Sequence, residues 1–432
     1  MSVILTQKYS HLVEKQGFDR VLHIGLSFFP LLFDVARSGK IREIISFGIW
    51  EVRHTLGLFS KSQYIVFDEH KPYVIKEGDI LGELDFSNSS FEIERTQNWK
   101  VSHRDSKQVI FGCLASKDSI LYKSIDAGKS IEKVKEFERG ITSIFITNED
   151  VIFVNTWGKL YKSVDGGVTF ELSLELTYDD SYIFHHNGMT QLPAGELLIG
   201  EYRNVPVNGV WANIANIYAS SDLGGSWEKS DFLKKHGINK HVHLIKYSKL
   251  LDKIVLADGD NKKKLWLSST LENFDLKTHP WKLVNRFHIQ IGGYTSCAEN
   301  DSRMILGTDY LGGTNFIVDT DDGKKYRKRV IPDPYRRSPI MDLVSRVSKD
   351  ADEIWAILNN PISSNARCLL MCTKNGGKSW SRVVEYDGTK NLILINCGST
   401  KPRESISFAI TSYEEDGGKK GVCYEIKDKK DG

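Results

Sequence analysis

The chain has almost no net charge, no closely paired cysteines and no long uninterrupted apolar run, and each absence closes off a class of protein. Lys+Arg of 58 against Asp+Glu of 56 leaves +2 over 432 residues. No global field therefore draws the chain to nucleic acid or to an acidic membrane, and neither partner is expected. The six cysteines, Cys113, Cys297, Cys368, Cys372, Cys397 and Cys423, lack the CxxC spacing that nucleates a zinc site and read as buried free thiols. Val21 to Val35 is apolar but carries His23, Pro30 and Asp34, and falls short of the roughly 20 residues a membrane span needs. The first residues show no basic segment followed by an apolar core and a small-residue cleavage site, so no secretory signal is read. A cytoplasmic protein is the expectation.

What is present is Gly (35), Phe (20), Tyr (17) and Trp (9), with polar turn clusters between short apolar runs. That is an all-β composition. One pattern recurs: Ser/Thr, any, Asp/Asn, any, Gly, any, Ser/Thr, aromatic. Its copies are Ser124 to Ile131, Ser163 to Phe170, Ser220 to Trp227 and Thr373 to Trp380, with a degenerate copy at Asp319 to Tyr326 in which Asp321 takes the acidic position. Ser268 to Phe274 occupies a sixth slot without the Asp and Gly. The pattern is a hairpin turn in which the Asp or Asn side chain accepts bonds from turn N–H groups, Gly takes positive φ, and the aromatic packs beneath a neighbouring strand. It is a folding device, without catalytic residues of its own.

These copies resemble the Asp-box, or bacterial neuraminidase repeat, of sialidase-like β-propellers, over about residues 90 to 430. The intervals between starts, 39, 57, 48, 51 and 54 residues, match the roughly 40 to 50 residues of a propeller blade. Six boxes give six blades. Asn391 to Asn396, Ser405 to Thr411 and Gly421 to Ile426 supply three strands of a seventh, and Tyr64 to Asp68 or Tyr73 to Lys76 is expected to complete it. The expected fold is an all-β, seven-bladed propeller over 41–432, with an eighth blade from about residues 43 to 90 as the alternative. Residues 1–40 form an N-terminal extension in which His11 to Gln16 and Leu31 to Arg37 are expected as short helices, since Gly17, Gly25, Pro30 and Gly39 interrupt a long one.

In a four-stranded blade, alternate loops lie on opposite faces of the disc. With the boxes between third and fourth strands, the other face gathers the starts of first strands and the ends of second strands, where propellers usually hold ligands. The third to fifth blades place His185, His186, Glu201, Tyr202, Arg203, His241, His243, Asp258, Asp260, Arg286, His288 and Tyr310 there, and Arg336 precedes the sixth. His185, His186, His241, Tyr202 and Tyr310 are the candidate acid–base groups. Arg203, Arg286, Arg336, Glu201 and His288 are the candidate substrate-binding groups. His241, His243, Asp258 and Asp260 suit a divalent ion such as Zn or Mn.

The sialidase resemblance implies an Arg-Ile-Pro-like element ahead of the first box, a carboxylate-clamping arginine set, a Tyr/Glu nucleophile pair and an Asp acid–base. Nothing before Ser124 matches that element, and Arg203-Asn-Val-Pro206 follows the second box, so true sialidase chemistry is not expected. The His/Tyr/Arg set is similar in kind to the sites of propeller polysaccharide lyases acting on uronic-acid polymers. The functional expectation is a carbohydrate-active propeller, hydrolase or lyase, acting on an acidic oligo- or polysaccharide. The alternative is a non-catalytic propeller that binds a glycan or a protein.

Overall fold

Short runs of β-branched and aromatic residues, each closed by a turn, fold into antiparallel four-stranded meanders. The computed structural model describes the chain except residues 1–16, 39–40, 88, 205, 208–209, 212–213, 239, 259–263, 270, 272–273, 285–292, 414–417 and 430–432. Seven meanders form a propeller. The first blade runs Trp99–Arg104, Ile110–Leu114, Lys117–Ser124, Glu132–Glu136 in pairing order. The second spans Ile141–Ile146 to Glu171–Glu175, the third Met189–Gln191 to Glu228–Ser230, and the fourth Leu244–Ser248 to Trp281–Leu283. The fifth spans Gly293–Glu299 to Arg327–Val330 and the sixth Ile340–Val347 to Ser381–Asp387. First strands touch between the first and second blades and from the third through to the sixth, which places them around the axis. Apolar clusters between blades hold the disc together, such as Phe111, Ile144, Ile152 and Val154 between the first and second.

The seventh blade corrects one expectation. Asn391–Ile395, Ile406–Tyr413 and Lys419–Lys427 are joined by Glu92–Arg95, in the register Glu92↔Lys427 to Arg95↔Tyr424. Cys397–Ser399 then pairs in parallel with Trp99–Arg104 and closes the ring. Tyr64 to Asp68 and Tyr73 to Lys76 instead run along the rim. Tyr64 bridges Val330 on the fifth blade, Phe67 bridges Trp380, and Tyr73–Val74 pairs in parallel with Val384 and Glu385 on the sixth. Alternation marks a segment as extended but does not name its partner. This strap covers two edges that would otherwise be open to pairing.

The expectation of short helices is also corrected. Gly17–Ser38 is one 22-residue helix with Gly25 and Pro30 inside it, and Ile41–Thr55 is a second. Pro30 withholds one N–H and crowds the turn before it, and the Leu, Ala and Arg residues around it favour the helix. His11 to Gln16 lies outside the described residues. Residues 43–90 contain helix, short 3₁₀ turns and the strap, and form no eighth blade.

The boxes all follow third strands. In the third blade, Gly224 N and Ser226 N donate to Ser220 Oγ and Asp222 Oδ1 at 2.8 Å each, and Ser226 Oγ donates to Asp222 Oδ2 at 2.7 Å. The same bonds recur around Asp126 and Asp165, and around Asn375 the backbone bond recurs while Nδ2 donates to Ser379 Oγ. In the degenerate copy Asp322, not Asp321, does this work: it accepts from Lys324 N and Lys325 N at 2.8 Å. The shift frees Asp319, which is buried among Arg303, Arg327 and Arg329. Each box also seals a blade junction. A Cβ on Gly224 would stand 2.6 Å from Phe153 of the blade before, and one on Gly167 would stand 3.1 Å from Val134.

Candidate functional site

Opposite the boxes, the chain entering the third blade does not go straight into its first strand. Tyr182–Ile183 pairs with the end of the second strand, Tyr202 and Glu201, and His185–Asn187 then makes a single 3₁₀ turn. This turn touches first strands of the second, fourth and fifth blades, so it sits in the axial channel. His186 Nε2 lies 3.1 Å from Asp342 Oδ1 on the first strand of the sixth blade, and Asn187 Nδ2 donates to the same oxygen at 3.0 Å. The turn thus bolts one side of the ring to the other.

Burial pushes the His186 pKa down, and the opposing pull of Asp342 does not restore it. Burial pushes Asp342 up, but His186 and the bonds from His186 and Asn187 outweigh it, and its pKa ends below the usual value. Neutral His186 therefore donates Nε2–H to ionised Asp342 near pH 7. His103, on the first strand of the first blade, bonds Thr400 Oγ1 at 3.2 Å, and burial with Arg403 nearby pushes its pKa down to about 3. His185 is exposed to the channel and holds φ +42°. That left-handed conformation is uncommon for a residue with a side chain and is kept only where surrounding structure enforces it.

Beside the turn stands an aromatic and imidazole stack. Tyr202 is stacked on His241 with centroids 3.9 Å apart and on Phe184 at 4.6 Å, and Phe184 meets His185 at 4.9 Å. His241 Nδ1 lies 2.5 Å from Arg203 O, and the two Nε2 atoms of His241 and His243 are 2.8 Å apart. A carbonyl only accepts, so His241 carries its proton on Nδ1 and its Nε2 accepts from His243 Nε2–H. Both imidazoles are buried, at 0% and 3% exposure. The stack continues outward through Tyr182 to Trp157, 4.9 and 5.1 Å centroid to centroid. Trp157 and Tyr178 keep 36% and 39% of their surface open to solvent.

The sequence-expected residues thus separate into groups. His185, His241, His243, Tyr202 and Arg203 come together, with His186 one residue along the same turn. Arg203 is committed: Nε and Nη2 are held by the two oxygens of Asp180, and the guanidinium lies over Tyr178 at 4.5 Å. Glu201 is fully buried and accepts from Thr177, Asn216 and Tyr218, so it braces the blade. Asp258 accepts Lys264 N at 2.6 Å, as a turn carboxylate does. Arg336 is bound by Glu51 of the second helix at 2.5 Å and by Asp333 at 3.2 Å. Tyr310 heads a turn in which its N–H donates to Asn315 Oδ1. Arg286, His288 and Asp260 lie outside the described residues. Among the described residues, no group of three or more His, Cys, Asp or Glu is placed to hold a metal ion.

Residues that the sequence reading left out include Asp342, Asp180, Phe184, Tyr178 and Tyr182. An acid inside the apolar strand Ile340–Val347 was the one available signal for Asp342. A cavity of about 580 Å³ lies elsewhere, at the rim of the sixth blade beneath the strap, lined by Tyr73, Phe86, Phe91 and Arg382. The histidine sector is largely buried over a plugged channel, with His185 exposed at its edge.

Fold and site together define a seven-bladed β-propeller with a histidine-plugged axis. Among solved structures the chain is similar to virginiamycin B lyase from Staphylococcus aureus. A catalytically inactive form with quinupristin aligns at 13% identity and TM-score 0.50, over 78% of this chain and 99% of that one. The selenomethionine-substituted lyase aligns at 11% identity and TM-score 0.50 over the same shares. At such identity the likeness shows the fold alone. No protein-family model and no curated protein match the chain. Among the described residues no helix is long and apolar enough to cross a membrane, which says nothing of a β-barrel.

Proposed function

We propose that this propeller, of the Asp-box, sialidase-like kind, recognises an oligosaccharide on the face opposite its boxes. The observation that carries the reading is the half-open aromatic surface of Trp157 and Tyr178, backed by Tyr182 and Tyr202 and flanked by the Arg203–Asp180 pair. Sugar C–H faces stack on such rings, and the ion pair offers both donors and acceptors to hydroxyls. An acidic sugar would take the place of Asp180, whose carboxylate already grips Arg203 as a uronate or sialate carboxylate would. The buried, mutually bonded His241 and His243 favour recognition over turnover. Six buried thiols without disulfides support a reducing compartment.

The test is calorimetric titration with neutral, uronic-acid and sialic-acid oligosaccharides. Binding lost in Trp157→Ala supports the site, and acidic oligosaccharides binding more tightly to Asp180→Asn support the acidic class. No binding to any oligosaccharide at millimolar concentration would sink the carbohydrate reading in favour of a protein-binding scaffold.

A second reading, turnover by lyase or hydrolase chemistry, rests on exposed, conformationally constrained His185 with the His186–Asp342 pair behind it. There His185 would move the proton and Asp342 would position the turn. Unsaturated or reducing-end product that disappears in His185→Ala supports it. Chelator sensitivity of that product would support a divalent ion such as Zn or Mn.

A further inference from the structure

Helix Ile41–Thr55 is amphipathic in an unusual sense. One side is already used: Trp50 packs on Phe59 and Phe316, Glu51 holds Arg336 and Arg337, and His54 bonds Tyr64 and Asp333. At 100° per residue the opposite side carries Ile45, Ile49, Val52 and, just past its end, Leu56. These four are 55%, 45%, 54% and 65% exposed. Helix Gly17–Ser38 carries a similar stripe of Leu22, Leu26, Phe29 and Phe33, exposed by 51%, 71%, 78% and 67%, and also opens Phe28 and Leu32 by 48% and 43%. Both stripes have the spacing four, three, four. That is the spacing of helix-on-helix packing.

We propose that the two helices are a dimerisation hairpin, and that the seam is covered by the same hairpin of a second copy of this chain in a four-helix bundle. Two observations favour a second copy over a lipid surface. The helices carry four acidic and four basic residues, two of each per helix. Such balance lacks the strongly basic polar side by which an interfacial helix holds a lipid surface. The open apolar area of the eight seam residues is on the order of 800 Å², comparable to the ~800 Å² per partner of a standard stable interface.

The experiment is sedimentation equilibrium of the full chain beside Leu26→Asp/Phe29→Asp and Ile49→Asp variants, with thermal unfolding run in parallel. The wild type is expected at twice the 49.0 kDa of one chain. The variants are expected at that single-chain mass, with association weakened about 100-fold or more. Because the substituted side chains face solvent, propeller unfolding is expected to be unchanged once dimer dissociation is allowed for. A monomeric wild type at the highest soluble concentration overturns the proposal, as does a dimer that survives both variants. A monomeric wild type that sediments with phosphatidylcholine–phosphatidylglycerol vesicles overturns it in favour of a lipid surface.

Discussion

On the box rim, Asp222 is satisfied by Ser226, four residues away; in the axial channel, His186 reaches 156 residues to Asp342 and Thr400 reaches 254 residues to Ile146. The rim is a short-range device repeated from blade to blade, and its carboxylates stay near water. The channel is assembled once, from side chains of most blades, and its polar groups are buried. A polar group satisfied locally is cheap to lose, because water replaces its partner. A buried group satisfied only at long range leaves its partners stranded when it goes.

The sharpest break of this contrast is Asp342→Ala, which strips His186 and Asn187 of their acceptor. A loss of about 3 kcal/mol in urea unfolding is expected, with Asp342→Asn retaining much of it. A loss below about 0.5 kcal/mol would show that the histidine turn is not a bolt across the ring.

Acid titration separates the two regions by pH. His103 and His186 have depressed folded pKa values, so the unfolded chain takes up their protons first. Stability should fall below about pH 6.5, by up to ~1.4 kcal/mol per pH unit for each histidine, until the folded group itself protonates. His103→Asn should flatten that slope. The box carboxylates Asp126, Asp165 and Asp222 are pulled down to about 2 by their turn hydrogen bonds. Their contribution is present above the ordinary carboxylate value and is lost only as pH falls from there toward 2. A single acid transition confined below pH 4 would contradict the channel assignment.

A smaller effect is expected for Asp222→Ala, about 1 to 2 kcal/mol through lost turn bonds, with ligand affinity of the folded fraction unchanged. Smallest of all in stability is Trp157→Ala, within about 0.5 kcal/mol by thermal melting. Its oligosaccharide affinity should nevertheless fall about 10-fold, the worth of one stacked ring. Equal losses in both measurements would mean that Trp157 packs the blade and takes no ligand.

The same contrast sets what could be read from residues alone. Ser220, Asp222, Gly224 and Ser226 form their turn from neighbouring positions, so the pattern, its repetition and the blade count were legible in one dimension. His185, Tyr202, Arg203 and His241 were assigned to one face because strand order alone decides which loops share it. Asp180 on Arg203 and Glu51 on Arg336 were not legible. Both arginines looked free in the sequence, and their carboxylates come from a loop before the third blade and from a helix 285 residues away.

By itself, then, the sequence determined the repeating hairpin, the all-β character and the face on which unlike residues gather, because each follows from spacing within a blade. Tertiary structure alone decided that Glu92–Arg95 closes the ring while Tyr73–Val74 straps the sixth blade. It also decided that His186 answers to Asp342 and that the histidines are bonded to one another. Those pairings depend on which distant segments the closed ring brings within 3 Å or so, and no local preference encodes that distance.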